Sequence, residues 1–220
     1  MCGRYTLSTV DGGDLAQRFG LIAPPEPETL GRFNVCPTET VAAVIQPGEA
    51  AAVPWGLRPF RNASFAPINV RSETAAQRFK WLMSGGRCLV LADGWYEWLK
   101  AEKKGAQRLP FRYTVDGGAP FAFAGVYDGT GAAILTTEAN EICAPIHDRM
   151  PVVLDGPEAE GAWLSDVVDV DAALELLTPL ESARVAVAPA NPAVNKAGVE
   201  GAELLAPPEP PLTPPSDTLF

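Results

Sequence analysis

An α+β fold rich in short strands is what this sequence predicts: a curved, largely antiparallel sheet or open barrel with helices packed outside it. Three observations carry that expectation. Short apolar segments with β-branched or aromatic residues recur along the chain, clusters of Gly, Asp and Pro punctuate them, and the strand–helix alternation that builds parallel sheets is not evident. With 220 residues, 47% hydrophobic and 20% charged, the chain can bury a sizeable core and is neither collagen, coiled coil nor wholly disordered.

The elements follow in chain order. Residues 13–19 read as a helix, and 41–46 and 51–57 as strands. NVRSET at 69–74 follows a Pro-containing connection and opens a helix predicted over 72–83. Apolar segments at 87–92 and 95–99 flank Asp93-Gly94, those at 109–115 and 120–127 flank Asp116-Gly117-Gly118, and another at 132–137 follows Asp128-Gly129-Thr130-Gly131. Such Gly and Asp clusters are turn chemistry between strands. A turn at 138–142 precedes helices predicted at 157–165 and 170–177, where apolar residues fall at helical spacing. The ending from Pro207, PPEPPLTPPSDTLF, holds 6 of the 22 prolines and reads as an extended or disordered tail. One domain over 1–205 and a Pro-rich tail over 206–220 is the resulting expectation.

The formal charge is −10, which argues against a nucleic-acid partner until it is divided along the chain. Residues 1–150 hold 15 basic and 15 acidic side chains, and 151–220 hold 2 and 12. Between Arg58 and Arg112 the balance is 11 basic to 4 acidic. An acidic average thus hides a basic middle. No apolar stretch at the N-terminus forms a signal peptide, and no apolar run approaches the roughly 18–20 residues that span a bilayer, so a cytoplasmic protein without membrane contact is expected. Cys2, Cys36, Cys88 and Cys143 contain no C-x-x-C pair, and His147 is the only histidine, so neither a disulfide framework nor a metal site is expected.

Cys2 directly follows the initiator Met, and a small second residue permits that Met to be removed. One residue would then carry an α-amine titrating at about 7.7–8.0 and a thiol at about 8.5. Such an aminothiol reacts with an aldehyde in two steps, a Schiff base at nitrogen and then ring closure by sulfur to a thiazolidine. Asn69 and Arg71 sit where a Pro-containing connection opens into the predicted helix, a boundary suited to an anion such as a phosphate, where a plain helix cap with a solvated Arg is the rival account. Glu97 lies among Trp95, Tyr96 and Trp98, surroundings that desolvate a carboxyl and suit it to proton transfer near neutrality. The aromatics serve equally as core or as base-stacking surfaces. His147, in PIHDRMP, is a further proton-transfer candidate.

MCGR at the start, FNVCP at 33–37, WGL at 55–57, NVRSET at 69–74, RCLVLADGWYEW at 87–98, TTEAN at 136–140, IHDRMPVVL at 146–154 and VNKAGVEGAEL at 194–204 together resemble the SOS-response-associated peptidase (SRAP) family. The resemblance spans nearly the whole folded chain in the same order. It implies a β-rich α+β fold with a basic DNA groove, and recognition of abasic sites in single-stranded DNA by covalent crosslinking through the N-terminal cysteine in the DNA damage response. It further implies that Cys2 attacks C1′ of the ring-opened sugar, Asn69 orients sugar and amine, Glu97 acts as acid and base, and His147 donates a second proton. Arg4, Arg71 and Arg78 would contact the DNA backbone, with Trp98 forming a wall beside the lesion. The implied partner is abasic single-stranded DNA, met by a monomer without cofactor, with lyase-like or self-processing peptidase chemistry. Two departures stand out: PFRNASF at 59–65, where family members often carry aromatics, and Cys36 in place of a small residue. The alternatives are an N-terminal-cysteine hydrolase of the glutamine amidotransferase type, whose downstream motifs are not matched, and a non-covalent single-strand-binding module, which leaves Cys2, Asn69, Glu97 and His147 unexplained.

Overall fold

The computed structural model describes residues 2–58, 66–99 and 108–208. The segment at 59–65 and the tail beyond 208, both singled out by the sequence, lie outside them. Strand β1 (Tyr5–Leu7), helix α1 (Gly12–Phe19) and strands β2 (Arg32–Val35), β3 (Thr40–Gln46), β4 (Glu49–Pro54) and β5 (Asn69–Arg71) form the first part. Helices α2 (Ser72–Arg78) and α3 (Lys80–Gly85) lead into β6 (Arg87–Ala92), β7 (Gly94–Leu99), β8 (Leu109–Val115), β9 (Phe121–Tyr127) and β10 (Ala132–Glu138). Then come β11 (Arg149–Pro151), α4 (Gly156–Leu164), α5 (Val170–Glu175) and β12 (Val185–Pro189), followed by short 3-10 turns at Pro192–Asn195 and Ala202–Leu205.

The strands form two sheets and no closed barrel among the described residues. One runs β12-β8-β7-β1-β2 and is antiparallel throughout; the other runs β11-β10-β9-β6-β3-β4. Its exception to antiparallel pairing is β5, which lies parallel to β10 with Asn69 opposite Ile134. Aromatic side chains join the sheets. Tyr5 meets Trp55 and Phe123 edge-on at 5.2 and 5.8 Å, and Trp95 stacks on Tyr113 at 5.0 Å with an interplanar angle of 10°. Trp95 and Tyr96 are both fully buried, as edge-to-face and stacked aromatic packing favours. Outside the second sheet, α4 presents Trp163, whose Nε1 donates to the Cys88 carbonyl at 2.9 Å. Arg87, buried beside it, donates to the carbonyls of Met83, Trp163, Ser165 and Val168, so its charge faces only backbone oxygens.

The helix expected over 72–83 is two helices. It breaks at Phe79, whose φ of −131° lies outside the helical region and whose ring is buried. Strands β1, β2, β5, β11 and β12 have no counterpart in the sequence reading. Each spans 3 to 5 residues, too short for a period-2 pattern to show, and each is held by tertiary partners.

For β1 the partner is Asp93, at the corner between β6 and β7. Its buried carboxylate accepts from Thr6 Oγ1 at 2.6 Å, from the Ser8 backbone N–H and Oγ at 2.6 and 2.7 Å, and from the Thr9 N–H at 3.1 Å. Arg112 completes the ring at 3.4 Å. The corner is tight, since a Cβ on Gly94 would stand 2.8 Å from the Tyr113 carbonyl and 2.9 Å from the Arg112 guanidinium. Only glycine fits there without displacing backbone. Removing the carboxylate strands Arg112 and four donors in a dry site. Asp93→Ala should therefore cost about 3–5 kcal/mol in urea unfolding, and a loss below about 1 kcal/mol would refute the anchoring role.

Candidate active site

Cys2 is completely buried, at 0% exposure. Strand β1 carries it there, because Tyr5 pairs with Trp95 on one side and Val35 on the other. Its Sγ–H points at the Arg4 carbonyl at 3.6 Å. Burial, and after it the Glu97 charge, pushes the thiol well above its ordinary range, the reverse of the partly ionised thiol that a free terminus would show. Asn69, where β5 begins, donates Nδ2 to the Cys2 carbonyl at 2.7 Å. A carbonyl can only accept, which fixes the amide's orientation. Asn69 Oδ1 is thereby left buried with no hydrogen-bond partner among the described residues, an acceptor on the group that holds Cys2.

Glu97 stands on β7 on the same face as Trp95, since side chains alternate along a strand. It is 4% exposed, and burial, aided by the nearby Asp148 charge, raises its carboxyl to about 7. Its own charge raises the Cys2 and Cys143 thiols and the Tyr113 hydroxyl in turn. These groups share one low-dielectric neighbourhood. Neither Tyr113 nor Cys143 stands out in the sequence as chemistry-bearing; what brings Tyr113 to Glu97 is the β7–β8 register, which sets Trp95 against Tyr113 and Glu97 against Phe111, while Cys143 comes from the turn that Asn140 closes.

His147 follows a turn that Asn140 closes, accepting from the Cys143 N–H at 3.0 Å and donating to the Leu180 carbonyl at 2.9 Å. The imidazole Nδ1 lies 3.0 Å from both the Arg149 N–H and Asp148 Oδ1. Accepting from Arg149 leaves the ring proton on Nε2; protonation of the ring turns Nδ1–H toward Asp148. Asp148 is thus the electrostatic link between His147 and Glu97. Arg149 binds Glu73 of α2 bidentately and also the Thr136 carbonyl, tying the IHDRMP and NVRSET segments to each other.

The expected backbone-contacting residues fall into separate places. Arg71 and Arg78 are exposed at the two ends of α2. Arg4 is turned inward, donating to Asn34 Oδ1 at 2.8 Å and to the Val194 carbonyl. It latches β1 to the VNKAGVEG segment, which Asn34 Nδ2 also grips through the Lys196 and Val199 carbonyls. Trp98, half-buried, packs with Tyr96 against Ala190, Val194 and Leu204, the alternate face of β7 from Glu97. Asn69 is hydrogen-bonded to Cys2 and the Glu97 charge acts on the Cys2 thiol, whereas His147 meets the exposed Asp148 carboxylate, whose charge also reaches Glu97, and Arg71, Arg78 and Trp98 lie outside that cluster. Among the described residues, Cys2, Cys36, Cys88 and Cys143 are free thiols, no group of three or more His, Cys, Asp or Glu is placed to hold a metal ion, and no helix is long and apolar enough to cross a membrane.

Residues 1–197 match the family model described as SOS response associated peptidase (SRAP). The chain is similar to the abasic site processing protein YoaM of Bacillus subtilis, with 31% identity across 93% of this chain and 97% of the relative. It is also similar to the abasic site processing protein YedK of Escherichia coli, with 32% identity across 94% of this chain and all of the relative. A crystal structure of a Bacteroides thetaiotaomicron protein shares the fold, with a TM-score of 0.75 over 86% of this chain and 91% of that one at 22% identity.

The buried acid has a measurable cost. Glu97 titrates at the ordinary 4.5 when unfolded and at about 7 when folded. Below the lower value both states hold the proton; between the two only the fold does; above the upper one the fold carries a buried charge that the unfolded chain places in water. Stability is lost as pH rises across that window. Glu97→Gln should then stabilise the protein by up to about 3 kcal/mol at about pH 8 and have little effect at about pH 4 in urea titrations. Equal effects at both pH values would contradict a raised carboxyl.

Proposed function

Because the chain belongs to the SOS response associated peptidase family, we propose that it captures abasic sites in single-stranded DNA as a covalent thiazolidine adduct on Cys2, with Met1 removed to free the α-amine. Its relatives YoaM and YedK are named abasic site processing proteins. The observation that carries the reading is the convergence on Cys2: Asn69 holds its carbonyl at 2.7 Å, and a carboxyl raised to about 7 lies beside its thiol.

The ring-opened sugar presents an aldehyde at C1′. The neutral α-amine of Cys2 adds to it, forming the C–N bond, and the carbinolamine loses its oxygen as water to give an iminium. The imidazolium of His147, its Nδ1–H facing Asp148, supplies the proton for that departure from Nε2 and is left neutral, with Nδ1 then accepting from the Arg149 N–H. Asn69 Oδ1 accepts from the reacting nitrogen. Sulfur then closes on C1′ and its proton passes to Glu97. A thiol held protonated by burial cannot attack first, so the fold enforces the order: nitrogen, then sulfur with base assistance. Arg71 and Arg78 contact the DNA backbone, Arg4 acts mainly by seating β1, and Trp98, on the other face of β7 from Glu97, forms a wall along the strand beyond the lesion.

Incubation with an oligonucleotide carrying one abasic site should give a denaturation-resistant adduct, seen as a gel shift and an intact mass lacking Met1. Cys2→Ala should give none, and Cys2→Ser at best a less stable imine product. Crosslinking should quicken as pH rises through about 7 and Glu97 ionises, and Glu97→Gln should remove that limb and slow the reaction by about 10²–10⁴-fold. No adduct from the wild-type protein, or glutamine hydrolysis in its place, would overturn the assignment.

A further inference from the structure

We propose that Arg108, laid on the indole of Trp98, is a phosphodiester-binding site for the single strand that leaves the lesion. The proposal deepens the reading above and rests on it. The Arg108 guanidinium lies 5.6 Å from the Trp98 ring centroid. Both partners are fixed by one side chain: Trp98 Nε1 donates to Asn195 Oδ1, and Asn195 Nδ2 donates to the Arg108 carbonyl at 3.2 Å. The indole and the backbone beneath the guanidinium are thus tied to the same asparagine.

The other arginine on this ring is differently employed. Arg4 stands 5.8 Å from the centroid, but its Nη1 is committed to Asn34 and the Val194 carbonyl. Elsewhere Arg18, Arg32, Arg112, Arg149 and Arg184 face carboxylates, and Arg87 faces carbonyls. Arg108 is exposed, and among the described residues its guanidinium has no carboxylate or carbonyl partner. It is a planar cation whose fork of donors remains open for an oxyanion while a ring supports its face, the arrangement that suits bidentate phosphate recognition. Trp98 directly follows Glu97 in β7 and faces the other side of the strand, so the cation sits across β7 from the acid, where a strand passing beyond the lesion would run. A nucleic-acid backbone is the oxyanion bearer that the proposed chemistry brings to this place. With Arg108 on its ring, Trp98 acts as a support for the cation more than as a platform for a base.

The test uses the full chain and a labelled, undamaged polythymidine oligonucleotide, with affinity followed against salt and crosslinking of an abasic oligonucleotide run in parallel. Arg108→Ala should weaken binding several-fold at low salt. Its plot of log affinity against log salt should be shallower by about 0.7, the share of one phosphate on a single strand. Arg108→Lys should keep the wild-type slope while binding more weakly, because the charge remains but the planar fork on the ring is gone. Wild-type affinity and slope in Arg108→Ala, or weaker binding with an unchanged slope, would overturn the phosphate site while adduct formation still upheld the function above. Failure of the wild-type protein to form any adduct would instead refute that function.

Discussion

Everything in the site hangs on the carboxylate of Asp93. A residue next to a chain end is in the part of a protein most prone to fray, and β1 alone, with 3 residues, cannot hold Cys2 in place. Asp93 gathers the hydroxyls of Thr6 and Ser8 and the N–H groups of Ser8 and Thr9 at the far end of β1, and Arg112 balances its charge from the neighbouring strand. The near end is held by Asn69 at the Cys2 carbonyl and by Arg4 at Asn34 and Val194. A strand pinned at both ends places a buried sulfur next to a buried acid.

That placement sets the chemistry and also strains the fold. A thiol and a carboxyl in a dry neighbourhood each resist charging, and the Glu97 charge raises the Cys2 thiol further. Cys143 and Tyr113 feel the same carboxylate, so the polar environment of Glu97 is built from two strands and a turn, not from the motif that contains it.

Much of this was legible in the sequence, for identifiable reasons. Strands β6 and β8 fall on the boundaries their apolar runs predict, and Glu97 among aromatics foretold a desolvated acid. Strand β12 was invisible because its pattern is weak and its role is to complete β8. Charge counting misled in part. Of the basic residues from Arg58 to Arg112, Arg87 is buried against carbonyls and half-buried Arg112 faces Asp93, leaving Arg58, Arg71, Arg78, Lys80 and Arg108 among the described ones at the surface. The inward turn of Arg4 was equally unreadable, because its acceptors lie on β2 and on a segment near residue 194.

The latch between Arg4, Asn34 and the 194–200 segment bears on the protein's birth. Ribosomes deliver Cys2 long before Val194 and Glu200, yet Glu200 accepts from the Phe33 and Asn34 N–H groups and Val194 from Arg4. Contacts so distant along the chain close late. The surroundings of Cys2 are therefore completed only once the 194–200 segment has been made, so a nascent chain that lacks it carries a cysteine without the Arg4 latch.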